Sequence, residues 1–223
     1  METGNRLAIR QKGFMQQKTI TDETLRMGVD VLAERDPDLY EVRARLGYPP
    51  TWVREPGFAS LVHIILEQQV SIKAAATMFQ RLESHLEMVT PDSVRRAGES
   101  GLRNVGLTRQ KSRYCVELAN RIASGELDLS RLATLDDAEG RSHLLDIPGL
   151  GPWTVDIYYM MALGRPDVWP QGDLALASAI QDIKKLDARP TKNEQLAFAE
   201  QWGPWRAVAA RMLWMHYLDA RGQ

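Results

Sequence analysis

The chain has 223 residues, 44% hydrophobic and 26% charged, the balance of a globular protein with one sizeable core. Its 28 Lys and Arg against 29 Asp and Glu leave a formal net charge of −1, so bulk electrostatics does not draw the whole molecule to nucleic acid. The single cysteine, Cys115, excludes an internal disulfide, an all-cysteine zinc site and a cysteine-held iron–sulfur cluster.

Residues 1–20 carry Arg6, Arg10, Lys12 and Lys18 without a sustained apolar period, and are expected to form a mobile basic arm. Folding against nucleic acid and a targeting role are the alternatives. The arm lacks the apolar core of a secretory signal, and no later stretch has the ~20 apolar residues that span a bilayer. A cytosolic protein with no membrane partner is expected, in keeping with the lone thiol.

From Thr21 onward the apolar spacing is helical. Leu25, Val29 and Leu32 share one face, and Phe58, Leu61, Val62, Ile65 and Leu66 make the next segment apolar on most sides, which predicts a central buried helix. Thr90 before Pro91 marks a helix start, because the missing proline N–H costs nothing in the first turn. Between Thr108 and Gly125, Cys115, Leu118, Ala119 and Ile122 form one stripe, so the thiol is expected to be buried and structural. Arg109, Lys111 and Arg113 cluster at that helix start. Asp136 with Glu139, and Thr191 with Glu194, have the spacing of capping boxes. Residues 21–223 are therefore expected to fold as one all-α domain, compact or bilobal, of roughly ten helices.

The segment Ser142–Ile180 is the most informative. A helix carrying Leu144, Leu145 and Ile147 runs into Pro148-Gly149-Leu150-Gly151, and a second helix starts near Pro152. Two glycines around one apolar residue permit a tight hairpin whose backbone N–H groups converge at a helix N-terminus, where a phosphate can be held without a cation. A plain turn with Leu150 in the core is the alternative. Further on, Asp173 precedes a run with Leu176, Ala177, Ile180 and Ile183 on one face, which reads locally as a helix N-cap. Capping amides favour the anion, so this carboxylate would be a poor general acid but a durable negative charge.

Ile147–Asp156 resembles the helix-hairpin-helix of DNA-repair glycosylases, with the whole motif at about 136–163. Three further blocks are similar to the 3-methyladenine DNA glycosylase II type: LVHIILEQQVSIKAAATMFQRL (Leu61–Leu82), GLTRQKSRYCVELA (Gly106–Ala119) and WGPWRAVAARMLW (Trp202–Trp214). The likeness runs from about Trp52 to Leu218 and lacks the N-terminal β-rich domain of longer members, a compact form. It implies a bilobal helical fold with the active site in the cleft between lobes, acting on damaged double-stranded DNA as a monomer and without a cofactor.

The resemblance also implies roles. Amides at Gly149 and Gly151, with the Thr154 hydroxyl, would grip one phosphate, with a cation held by hairpin carbonyls and no metal held by side chains. Asp173, after Val168-Trp169-Pro170, falls where the family keeps its catalytic aspartate. Trp153 and Trp214 would line a pocket for a cationic purine, while Trp202 and Trp205 are left in the core. In the bifunctional branch a lysine stands at the Trp153 position, and tryptophan cannot form its Schiff base, so no lyase step is expected. Gln69 occupies the wedge position, or else simply closes its helix. Asp156 reads as a solvated first-turn acid, and Ile157, where some relatives have an aromatic, as a change in the pocket.

These readings make the chain a monofunctional glycosylase for alkylated purines such as 3-methyladenine and 7-methylguanine. The alternatives are the same fold acting on uracil, hypoxanthine, ethenoadenine or a mismatched base, and a DNA-binding protein without chemistry. A local cluster such as Arg103, Arg109, Lys111 and Arg113 would help a nearly neutral protein hold DNA.

Overall fold

The computed structural model describes residues 19–222, and among them every regular element is helical. The basic positions of the expected arm, through Lys18, lie outside the described residues. Its expected end at residue 20 is too late: Ile20 is buried, and its amide donates to the Gly164 carbonyl at 2.7 Å.

Two compact units divide the chain, one made of the residues through Val53 together with those from Tyr159 onward, the other of Arg54–Tyr158. The first contains α1 (Asp22–Arg35), α2 (Pro37–Leu46), α9 (Leu174–Ile183), α10 (Lys192–Gln201) and α11 (Arg206–Asp219). The second contains α3 (Phe58–Glu67), α4 (Ile72–Leu86), α5 (Pro91–Asn104), α6 (Arg109–Ala123) and α7 (Asp137–Leu145). The boundary falls inside α8 (Pro152–Met161).

In the first unit, α11 is the element around which the others gather, packing on α1, α2, α9 and α10. Every residue from Ala207 to Leu213 is buried, and the alanines among them let neighbouring helices approach closely. Asp36 joins several elements here. It caps α2 through the Asp38 and Leu39 amides, accepts from the Trp202 indole at 2.8 Å and pairs with Lys184 at 2.9 Å. Burial opposes its charge, but the Trp202 and Lys184 partners outweigh that and hold the carboxyl below the usual carboxylate range. Trp202 and Trp205 are both core residues, as expected.

In the second unit, α3 is the predicted central helix, with Phe58, Leu61, Val62, Ile64, Ile65 and Leu66 all buried. Its C-terminal carbonyl at Leu66 accepts from the Lys111 ammonium at 2.7 Å. Lys111 is itself buried, which lowers its pKa, so it is a brace between α3 and α6 and not part of a basic surface. Arg103, Arg109 and Arg113 do stay exposed. One turn after Lys111, Cys115 is wholly buried and its thiol is pushed up to about 12 by desolvation.

The expected helix starts at Thr90 and Thr191 form complete capping boxes, with Ser93 and Glu194 as the returning partners. Asp136 caps α7 through the Ala138 amide, but Glu139 faces His143 across one turn instead of returning to the cap.

Candidate active site and DNA-binding hairpin

In the second unit, α7 and α8 are joined by the predicted hairpin, closed by the Leu150 amide donating to the Ile147 carbonyl at 3.0 Å. Leu150 is buried, so the apolar residue between the glycines anchors the turn as the plain structural reading requires. The glycines differ in what they do. Gly149 has φ +94°, and a Cβ placed there would lie 2.2 Å from Cγ of Tyr114 on α6. At Gly151 a Cβ would meet nothing within 4 Å, and the residue is exposed beside the α8 N-terminus. Neither glycine's N–H bonds to another backbone group among the described residues, so both amides are available at the end of a helix whose dipole favours an anion.

The hairpin is braced by a residue that sequence reasoning passed over. Gln68 donates from Nε2 to the Gly149 carbonyl at 2.8 Å and to the Thr154 hydroxyl at 2.9 Å. Thr154 is only 2% exposed, so its hydroxyl fastens the hairpin from inside instead of standing at the surface as expected. The Ile147 and Gly149 carbonyls each accept a hydrogen bond, from the Leu150 amide and from Gln68. Asp156 also departs from its sequence reading. It is 1% exposed and paired with Arg141 of α7, a tie between the two hairpin helices and not a solvated acid. Ile157 is buried.

Trp153 is half-buried in the first turn of α8. Gln69, in the turn between α3 and α4, is exposed with φ +57°, a left-handed conformation that is uncommon for a residue with a Cβ. Exposed Val70 and Ile72 flank it. The two glutamines therefore differ: Gln68 turns inward to the hairpin, and Gln69, on its left-handed backbone, is exposed.

In the first unit, Asp173 is the N-cap of α9, accepting on Oδ1 from the Ala175 and Leu176 amides at 2.9 Å each. The Trp214 indole donates to the same oxygen from 3.4 Å. Two capping amides and one indole fix the carboxylate on a helix end. Two of the sequence-predicted residues, Asp173 and Trp214, are thus brought together. Trp52, to which the sequence assigned no role, meets Trp214 edge to face, with ring centroids 6.2 Å apart and planes at 73°.

Arg211, three residues before Trp214 on α11, is fully buried. It donates to the carbonyls of Thr51 at 2.8 Å and of Ala207 and Met160 at 2.9 Å each. Desolvation lowers its pKa to about 10. A buried guanidinium costs free energy unless it is hydrogen-bonded, and each of its three nitrogens has a carbonyl partner here. The signal for it in the sequence was an arginine inside the apolar run Ala207–Leu213.

The sequence pattern of HhH-GPD superfamily base excision DNA repair proteins matches residues 62–204, which includes the hairpin and Asp173. The chain belongs to this superfamily. Within the superfamily it is 30% identical over 165 residues to DNA-3-methyladenine glycosylase 1 of Schizosaccharomyces pombe, covering 72% of each chain. It is 30% identical over 123 residues to a DNA-3-methyladenine glycosylase of Bacillus subtilis, covering 55% of this chain and 41% of that one. The solved structure of the Schizosaccharomyces pombe 3-methyladenine DNA glycosylase in complex with abasic DNA superposes with a TM-score of 0.80 at 27% identity, over 84% of this chain and 95% of that chain. The chain spans 56%, 41% and 37% of the length of three curated bacterial relatives that it matches. This HhH-GPD chain has no described helix long and apolar enough to cross a membrane. Its described residues hold no group of three or more His, Cys, Asp or Glu side chains placed to bind a metal.

Proposed function

We propose that this chain is a monofunctional DNA glycosylase that hydrolyses the N-glycosidic bond of alkylated purines in duplex DNA and leaves an abasic site. The observation that carries the reading is the Asp173 carboxylate, held on the α9 N-terminus and by the Trp214 indole in a member of a base excision repair superfamily.

Breaking the carbon–nitrogen bond leaves the deoxyribose with oxocarbenium character. A fixed anion beside the sugar stabilises charge that develops only toward the transition state, so it lowers the barrier without merely tightening binding. The same carboxylate orients the incoming water and takes its proton. A purine made cationic by methylation already leaves readily, so no strong general acid is needed at the base. Trp153, at the position where bifunctional relatives carry a lysine, has no amine with which to attack the sugar, and the reaction ends at hydrolysis.

The base must first leave the stack, which costs a few kcal/mol and is easiest at a damaged pair. Gln69, exposed on its left-handed turn, enters the gap, while the amides of Gly149 and Gly151 hold a backbone phosphate without reading sequence. Trp214 supports the flipped purine beside Asp173.

The test is release of 3-methyladenine and 7-methylguanine from alkylated duplex by the wild type and by Asp173→Asn. Asparagine still caps a helix, so the variant should fold, and its rate should fall by about 10²-fold or more. Equal release by both proteins would refute the mechanism. Release of uracil or hypoxanthine in place of methylated purines would move the enzyme to another lesion. DNA binding without any abasic product would make the chain a binding protein.

A further inference from the structure

We propose that Trp52 is a specificity-determining residue, the wall that makes the site beside Asp173 prefer a cationic purine, and that Arg211 is the positioning residue that holds it there. The proposal rests on the glycosylase reading above and deepens it. All the residues it needs lie in one compact unit.

Three observations converge. First, Trp52 has φ +46°, and a bulky aromatic pays for a left-handed backbone, so something must hold it there. Second, what holds it is visible: the carbonyl of the preceding residue, Thr51, accepts from Nε of Arg211 at 2.8 Å. Arg211 is held in place because it is wholly buried and its other two nitrogens donate to the Ala207 and Met160 carbonyls. Third, Arg211 stands three residues before Trp214 on α11, so one helix holds one ring directly and the other through a carbonyl. The result is a corner of two half-buried indoles, 6.2 Å apart and at 73°, with the Trp214 indole hydrogen-bonded to Asp173.

A corner of this kind has a chemical preference. Indole faces carry the negative lobe of a quadrupole and attract a cation set over them, tryptophan more than any other side chain. A neutral purine gains stacking but not that term. Core packing alone would account for a buried Trp52, but not for a half-buried ring on a left-handed backbone, set edge to face with the indole that bonds Asp173.

The experiment compares single-turnover release of 7-methylguanine, a cationic base, with that of hypoxanthine, a neutral one, from matched duplexes. It uses wild type, Trp52→Ala, Trp52→Phe and Arg211→Lys. Trp52→Ala is expected to lose about tenfold on 7-methylguanine and less than about threefold on hypoxanthine, so that the ratio of the two rates falls. Trp52→Phe, with a weaker ring at the same place, falls between the two, and carries the comparison if the alanine variant does not fold. Arg211→Lys, which loses the fork that grips three carbonyls, should shift the same ratio in the same direction. A wild type that releases no methylated base would bring down the glycosylase reading and the proposal together. An active wild type whose Trp52 variants change both lesions equally, or neither, would overturn the proposal alone.

Discussion

The indole of Trp214 and the carboxylate of Asp173 are joined by a 3.4 Å hydrogen bond that lands on the same oxygen as the two capping amides of α9. The bond ties a residue expected to hold the base to the residue expected to act on the sugar. Trp214→Phe keeps the ring and removes the donor. Because the bond is long, its loss should cost the low end of what a hydrogen bond to a charged group contributes, about 1.5 kcal/mol, or roughly tenfold in the rate of base release. Single-turnover kinetics at saturating enzyme would read this without interference from product release.

The two hairpin glycines should behave oppositely on replacement by alanine. Gly149→Ala puts a Cβ into the Tyr114 ring on a left-handed backbone, and should destabilise the fold by at least about 2 kcal/mol, seen as a drop in Tm. At Gly151 there is room for the methyl group, so Gly151→Ala should melt within about 1 kcal/mol of wild type yet bind duplex DNA more weakly, since the methyl stands where a phosphate would approach. Unchanged affinity would remove Gly151 from the phosphate site.

Gln69 offers a separation of stability from function. Gln69→Gly relieves the left-handed backbone, so thermal stability should change by no more than about 1 kcal/mol. Base release from duplex should fall severalfold, while release of the same lesion from single-stranded DNA, which has no gap to fill, should hold. Equal loss on both substrates would deny the wedge role.

Stability should also respond to His63. Its ring stacks on Phe79, with centroids 4.3 Å apart, and burial lowers its pKa below the usual 6.5 more than Glu67 and Glu83 raise it, with Arg54 adding to the lowering. The folded state therefore binds this proton less readily than the unfolded state. Its contribution is present above pH 6.5 and is lost as pH falls through the lowered folded value. Chemical denaturation of wild type and His63→Gln between pH 7.5 and 5 should give a shallower acid slope for the variant.

Much of this structure was legible in the sequence wherever the determining interactions are local. The apolar face of α3 and the caps at Thr90, Thr191 and Asp173 each depend on neighbours within about four residues, and each was found. What escaped depends on partners far along the chain. Lys111 looked like part of a basic cluster until the Leu66 carbonyl was seen above it, and Asp156 looked solvated until Arg141 closed on it. Gln68 and Gln69 are identical in type and adjacent, so residue type does not tell which of them reaches the hairpin. Trp52 lies outside any periodic segment, where an aromatic carries no sign of what it will meet.

The burial of Cys115 has a practical consequence. With its thiol inaccessible on α6 and pushed up to about 12, the one native cysteine should stay silent toward maleimides and iodoacetamide at neutral pH while the protein is folded. A cysteine introduced at the exposed Gln69 or Gly151 would then be the sole labelling point for a fluorophore or spin probe, without first deleting the native thiol. Distances and environments at these two exposed turns become measurable in solution.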